Sequence, residues 1–291
     1  MSTLPVVAVL GLGAMGHAFA ANLLKKGFTV YGWNRTPGRG DDLVASGLQL
    51  CAQPQAAVAK AQVIISMLTD GDATLNSVKA VARDCLPGAI FCQMGTIGIQ
   101  ETADVIARLN TLRPDMLYLD APVSGTKAPA ENAQILVLAS GDRSRAGAAQ
   151  QVFDAIARGT QWYGEAGNSQ KMKLVINAWL ISMMQGIAES MQLAQQFGFT
   201  PAQLWDSLEG GPLAAPYIKG KLEMIGKDDY TAQMQLQHAL KDARLALNNA
   251  QSGTMPVMND IAALWEKAVQ AGLGEQDLAA VYRLLDNQQE Q

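Results

Sequence analysis

Short apolar runs alternate with stretches of helical periodicity through the first half of the chain. Residues 6–10, 28–33, 63–68, 90–94, 117–121 and 135–139 are runs of five or six residues, rich in β-branched and aliphatic side chains, and read as strands. A helical pattern over 14–26 separates the first two, and others fall between several of the rest. This alternation predicts a mostly parallel sheet covered by helices. After Tyr163 the pattern changes. Residues 169–197 read as one long helix, with Met172, Val175, Ile176, Trp179 and Met183 at helical spacing. Gly198 stops it, and Thr200-Pro201 supplies an N-cap followed by proline at the first helical position. Further helices are expected over 232–251, 257–271 and 277–286, and no strand is expected after Tyr163. The pattern divides the chain into an α/β domain over 1–165 and an all-α domain over 166–291.

The segment joining the first predicted strand to the first predicted helix is Gly11-Leu12-Gly13-Ala14-Met15-Gly16, a G-x-G-x-x-G turn in the context that the motif needs. Gly11 permits the tight turn, Gly13 admits a pyrophosphate close to the backbone, and Gly16 lets helix and strand pack closely. The helix N-terminus offers free N–H groups and a partial positive charge to phosphates. The first domain is therefore expected to be a Rossmann-type dinucleotide-binding domain. Its second strand ends in Trp33 and is followed by Asn34-Arg35-Thr36, where an NAD-binding chain usually carries an acid for the ribose hydroxyls. A carboxylate would repel a 2′-phosphate, whereas Arg35 can pair with one bidentately. With Asn34 and Thr36 adding neutral hydrogen bonds, the loop predicts NADP(H) as the cofactor. His17, just beyond the turn, is read as a helix-surface residue without a chemical role.

Length and composition fit this picture. The 291 residues correspond to about two domains. Hydrophobic residues make up 49% and charged residues 16%. The charged share is below the roughly 25% of an average globular chain. This excludes a disordered chain and suggests that some surface is hidden, as in an oligomer interface. The net charge of -4 argues against a nucleic-acid partner. Cys51, Cys85 and Cys92 form no C-x-x-C pair and read as reduced thiols of a cytoplasmic protein. The first ten residues carry no Lys or Arg and do not resemble a signal peptide. The longest apolar stretch, 174–188, is interrupted by Asn177, Ser182 and Gln185, and is shorter than the roughly 20 residues of a membrane span. A soluble protein without a membrane partner is expected. The chain has two histidines and no second cluster of ligand-type residues near either, so no metal site is expected.

Three further segments bear on chemistry. Ser124-Gly125-Thr126 follows the strand over 117–121. Such a turn can offer a hydroxyl and successive N–H groups to an anion such as a carboxylate, or it can be a plain turn. Lys173 and Asn177 are spaced i, i+4 on the long helix and share a face. Lys171 lies on a different face from Asn177. A domain-junction helix is a common place for a ligand cleft, although a solvated lysine and a surface asparagine read equally well from spacing alone. Lys241-Asp242 sits in a helix of mixed charge whose simplest reading is a solvated face, with His238 and Asp242 also able to pair at i, i+4.

Taken in order, these motifs resemble those of the β-hydroxyacid dehydrogenase family, which includes 3-hydroxyisobutyrate and 6-phosphogluconate dehydrogenases. They run from Gly11–Gly16 through Asp120-Ala121-Pro122-Val123-Ser124-Gly125 and Gly164-Glu165-Ala166-Gly167 to Lys173, Asn177 and Lys241-Asp242. The resemblance covers essentially the whole length. It is closest to the glyoxylate/succinic semialdehyde reductase branch, through Trp33-Asn34-Arg35-Thr36, the run 124–131, Lys171–Asn177 and Lys241–Leu247. The resemblance implies a Rossmann-type domain joined by a long interdomain helix to a helical domain. Ser124 and Gly125 then match the loop that holds the substrate carboxylate, with Thr126 beside them. Lys173 matches the catalytic lysine and Asn177 its neighbouring substrate-binding amide. Lys241 matches a lysine near the nicotinamide, with Asp242 adjacent. Thr96 matches a position near the nicotinamide ribose, and Met67 and Leu68 match the strand end flanking the cofactor. The chain departs from the family at Ser169, where the pattern has glycine, and at Met234, where plant members of the branch have an aromatic residue near the substrate.

The expected activity is NADPH-dependent reduction of small aldehyde acids such as glyoxylate and succinic semialdehyde. A proton donor must reach the carbonyl oxygen as hydride arrives at carbon, and Lys173 is the candidate. A 3-hydroxyisobutyrate-type dehydrogenase and a cyclic-imine reductase are alternatives on the same scaffold. A non-catalytic NADPH-binding sensor would explain the glycine turn alone.

Overall fold

The computed structural model describes residues 4–287. Six strands form one parallel sheet: β1 (Val7–Leu10), β2 (Val30–Trp33), β3 (Gln49–Leu50), β4 (Val63–Ser66), β5 (Ile90–Gln93) and β6 (Leu117–Asp120). Their spatial order is β3-β2-β1-β4-β5-β6. A parallel sheet is covered on both faces, so its strands must be apolar at every position rather than at alternate ones. β1 shows this. Val7 and Val9 enter the core on one face, and Ala8 and Leu10 enter the core on the other. β4 is sorted in the same way, with Val63 and Ile65 opposed to Ile64. The strand order reverses between β1 and β4, which opens a crevice beyond the carboxyl ends of these two strands. The Rossmann-type domain predicted from the sequence is present.

A smaller sheet follows, ordered β7 (Val123–Ser124), β8 (Ile135–Ala139) and β9 (Ala157–Trp162). Only β8 was expected as a strand. β7 is two residues long, and β9 reads Ala-Arg-Gly-Thr-Gln-Trp, with several positions exposed. Neither carries an apolar run. Their strand character comes from pairing with the buried β8, antiparallel on one side and parallel on the other.

The rest of the described chain is helical: Asn168–Gln196, Pro201–Leu208, Pro216–Lys227, Leu236–Asn249, Pro256–Ala268 and Val281–Asn287, with short 3-10 and π turns between. No strand follows β9 among the described residues. Thr200 opens the second of these helices with a full capping box. Its hydroxyl accepts from Gln203 N, and Gln203 Oε1 accepts from Thr200 N. Ile181, Met184, Ala188 and Met191 of the long helix pack with Leu236, Leu240, Ile261 and Trp265. Trp265 is fully buried, and its indole N–H reaches Gln185 Oε1 at 2.8 Å, so the polar end of the ring is satisfied.

Two helix boundaries differ from the sequence expectation. The helix expected from 232 begins at Leu236, because Asp277 Oδ2 holds the N–H groups of Gln233 and Met234 in a non-helical turn. Asp277 is itself buried against Lys221, at 2.6 Å. The helix expected to reach 271 loosens into a π turn over Val269–Leu273, where Gly272 takes φ +86°.

The chain forms two compact units that divide between Lys173 and Leu174. The sequence texture changes near 165, but the first turns of the long helix belong to the first unit, because Ser169 and Gln170 are bonded into it.

Candidate active site

The glycine turn is built by close backbone approach. Gly11 takes φ +98°, and a Cβ there would lie 2.3 Å from the carbonyl oxygen of Met67. A Cβ on Gly16 would lie 1.9 Å from Gly11 O. Gly13 differs: a Cβ would meet nothing within 4 Å. It is the N-cap of the helix Ala14–Lys25, which has no side-chain cap and no acidic residue in its first turn. Uncapped N–H groups with open space above them are what a pyrophosphate requires. The residues therefore fit a dinucleotide, with Leu12, Ala14 and Met15 completing the turn. His17 lies one turn on, where Nε2 is 2.8 Å from Asp42 Oδ2.

The loop after β2 is tied to this turn. Asn34 Oδ1 accepts the N–H of Leu12 at 2.9 Å, and Asn34 Nδ2 donates to Thr36 O at 2.9 Å. Asn34 thus spends part of its hydrogen-bonding capacity on ordering the loop. Arg35 and Thr36 are exposed beside it. Arg39, not singled out in the sequence, is exposed on the same loop.

The ends of β4 and β5 converge next to the turn. Gly95 lies so near the chain after β4 that a Cβ would be 2.5 Å from Leu68 O. The buried Gln93 side chain folds back on Gly95, donating to its carbonyl at 2.8 Å and accepting its N–H at 2.9 Å. Met67, Leu68 and Thr96 are thus brought to the same edge of the sheet as Gly11 and Gly16. Ser124 sits half-buried in β7. Gly125 follows with φ +132°, and a Cβ there would press to 2.8 Å on Ile135. Thr126 is the N-cap of the short helix Lys127–Glu131.

Lys173 and Asn177 lie one turn apart on the continuous helix Asn168–Gln196. Asn177 is buried, and its Nδ2 donates to Asp242 Oδ2 at 2.6 Å. A carboxylate only accepts, so this bond fixes which way the amide points. Asn177 Oδ1 then meets no donor among the described residues. Lys241 Nζ lies 2.9 Å from Asp242 Oδ1. Lys241-Asp242 is therefore not a solvated face: Asp242 is buried and engages Asn177 and Lys241 rather than His238. Burial and the Lys241 charge hold the His238 imidazole below its usual pKa. Met234 is half-buried against the helical core, in the turn that Asp277 fixes.

A further group of buried polar residues, given no role from the sequence, ties the end of β6 to the start of the long helix. Asp120 ends β6, and Ser169 and Gln170 begin the long helix. Ser169 Oγ lies 2.9 Å from Asp120 Oδ2 and 2.7 Å from Ser140 Oγ. The signal was legible as a polar residue closing an otherwise apolar strand, in Leu117–Asp120 and again in Ile90–Gln93.

A parallel sheet with this order, carrying an uncapped glycine turn at its switch point, defines a dinucleotide-binding fold. Comparison with known proteins narrows the class. A family model described as the NAD binding domain of 6-phosphogluconate dehydrogenase matches residues 6–164. One described as NAD-binding of NADP-dependent 3-hydroxyisobutyrate dehydrogenase matches residues 167–285. The chain is 36% identical over 280 residues to glyoxylate/succinic semialdehyde reductase 1 of Arabidopsis thaliana, covering 94% of this chain and 96% of that protein. It is 33% identical to the chloroplastic reductase 2 of the same plant, covering 96% and 79%. A solved 3-hydroxyisobutyrate dehydrogenase of Mycobacterium tuberculosis, with L-serine, superposes with a TM-score of 0.84 at 27% identity, covering 97% and 99%. The chain belongs to the β-hydroxyacid dehydrogenase family, of the 3-hydroxyisobutyrate dehydrogenase type. It is an oxidoreductase that uses a nicotinamide dinucleotide. Among the described residues no helix is long and apolar enough to cross a membrane.

Proposed function

We propose that the protein is an NADPH-dependent reductase of small aldehyde acids, with glyoxylate and succinic semialdehyde as the leading substrates. The observation that carries this reading is the fixed Asn177 amide, one turn from Lys173 and locked by Asp242. The relatives named above support the substrate class.

The bound nicotinamide supplies the hydride. The chain's own residues do the rest. The N–H groups at Gly13–Gly16 hold the pyrophosphate, and Met67, Leu68 and Thr96 flank the nicotinamide end. Ser124, Gly125 and Thr126 hold the substrate carboxylate and so orient the carbonyl, which is positioning catalysis. Lys173 donates the proton to the carbonyl oxygen. Asn177 Oδ1, turned away from Asp242, accepts from the ammonium of Lys173 or from the hydroxyl that forms. Lys241 places a positive charge beside Asp242, and the family resemblance assigns it to the nicotinamide. The experiment is the initial rate of NADPH oxidation, with NADH alongside, on glyoxylate, succinic semialdehyde, methylmalonate semialdehyde and a cyclic imine. Fast NADPH-linked turnover of one aldehyde acid is the expected result. Turnover of the imine alone would move the chain to imine reduction, and binding without turnover would make it a sensor.

Arg35 is assigned to the 2′-phosphate. Arg35→Ala is expected to raise the NADPH KM by about 10–100-fold, the loss of one charge-assisted contact of ~1.5–3 kcal/mol, and to leave NADH kinetics near wild type. Equal losses with both cofactors would remove the assignment. Asp242→Asn leaves one acceptor oxygen where the carboxylate has two, so it can serve Asn177 Nδ2 or Lys241 Nζ but not both. A fall in kcat of about 10-fold is expected from steady-state kinetics, the equivalent of one hydrogen bond of ~1.4 kcal/mol. An unchanged kcat would show that the amide orientation does not matter.

The active form in this reading is a homodimer or homotetramer in the cytoplasm. Val175 and Trp179, one turn apart on the long helix, are 64% and 68% exposed, and a second copy would cover them. No nucleic acid or membrane is involved.

A further inference from the structure

We propose that Asp120 is a positioning residue: one buried carboxylate that holds the start of the long helix and the loop over 95–97 in register with the end of β6, and so aims Lys173 and Thr96. The inference rests on the roles given to those two residues above.

The first N–H groups of a helix have no partner within it, and its N-terminus carries a partial positive charge. The long helix has no acidic residue in its first turn. Its cap comes instead from other elements. Asp120 Oδ2 accepts the N–H of Gln170 at 2.9 Å, and Ser140 Oγ accepts the N–H of Ser169 at 3.1 Å. The Ser169 hydroxyl adds contacts of 2.9 Å to Asp120 Oδ2 and 2.8 Å to Asp120 O. Lys173 follows within one turn, so the cap sets the height and rotation at which it is presented.

Gln170 carries the same link to a third segment. Its Nε2 donates to Asp120 Oδ1 at 3.2 Å and to Gly95 O at 2.7 Å, and its Oε1 accepts the N–H of Ile97 at 3.4 Å. Thr96 lies between these two anchored residues. All of these side chains are buried.

The network has one polarity. The N–H of Gln170, the Ser169 hydroxyl and the Gln170 amide each donate to the Asp120 carboxylate. An asparagine at 120 would turn an NH2 group on one of them. Rotating the Gln170 amide to compensate would set its oxygen against Gly95 O and its NH2 against the N–H of Ile97. Burial pushes the Asp120 carboxyl up to about 6 against the pull of its donors, so the charged form prevails at neutral pH.

The test compares Asp120→Asn, Ser169→Ala and Gln170→Met with wild type, by steady-state kinetics and by amide exchange over 95–97 and 168–173. Asp120→Asn is expected to speed exchange in both segments, to lower kcat by ~10-fold and to raise the NADPH KM by ~10-fold, each the loss of about one hydrogen bond to a charged group. Ser169→Ala should lower kcat alone, and Gln170→Met should raise the NADPH KM alone. These two variants carry the test if Asp120→Asn does not fold. Wild-type exchange in both segments of Asp120→Asn would overturn the proposal. So would losses in which kcat and KM of all three variants simply follow the fraction folded. Exchange is measured whether or not a carbonyl is reduced. Released exchange with an inactive wild type would support the clamp and overturn only the reductase reading.

Discussion

Lys173→Ala is expected to lower kcat by ~10²–10⁴-fold, the usual contribution of a positioned proton donor, while NADPH still binds. The reduced carbonyl oxygen gains its negative charge as hydride arrives, and without the ammonium that charge must be met by solvent. Binding should persist because Lys173 lies outside the glycine turn, whose uncapped backbone N–H groups are the ones proposed for the pyrophosphate. The measurement is a pair: single-turnover oxidation of NADPH with the best aldehyde acid, and a fluorescence titration of NADPH without substrate. A variant that turns over normally would remove Lys173 from the chemistry. One that loses turnover and binding together would make it a cofactor ligand instead.

The second large effect concerns two glycines three residues apart. Gly16→Ala sets a methyl group 1.9 Å from the Gly11 carbonyl oxygen, which is backbone and cannot swing aside. The turn must open, so both NADPH affinity and stability should fall, the latter by ~1–3 kcal/mol or more. Gly13→Ala meets no atom of the chain within 4 Å. It should leave Tm near wild type and weaken NADPH by ~10-fold or more, since the space it fills is the space that a phosphate needs. Thermal melts with and without NADPH separate the two. The expected pattern is stabilisation by NADPH that is strong in wild type and weak in both variants, with Tm lowered in the absence of NADPH only for Gly16→Ala. Equal melting of the two variants would show that sterics at the turn do not distinguish them.

Most of the fold was legible because the strands of the first sheet are buried on both faces. A strand such as Val7–Leu10 must be apolar throughout, and that run is visible without any partner. β9 was not legible for the converse reason. Its polar residues have no strand signature, and only the pairing with β8 makes them extended. The glycine turn was readable because local geometry alone gives it meaning. Lys173 and Asn177 share a helix face by spacing, but a solvated pair fits that spacing equally well, and only the family resemblance singled them out. Asp242 read as one charge among several, since its partner Asn177 is distant in sequence and the bond between them exists only once the helices pack. The start of the helix at Leu236 was hidden likewise, because the residue that prevents an earlier start is Asp277, far along the chain.

On the NADPH reading proposed above, the bond from Leu12 N to Asn34 also bears on how the cofactor could change in evolution. The direct route from a phosphate-bearing to a phosphate-free dinucleotide restores an acid at the end of the second strand. At Asn34 that step replaces the amide donor facing Thr36 O with a second acceptor, while the other oxygen still serves Leu12. Two oxygens would then face each other across the loop that shapes the phosphate turn. The neighbouring positions 35 and 36 carry no such tie to Leu12. A lineage that switches cofactor should therefore accumulate its changes at Arg35 and Thr36 first and keep Asn34, and the same order of substitution is the economical one for redesign.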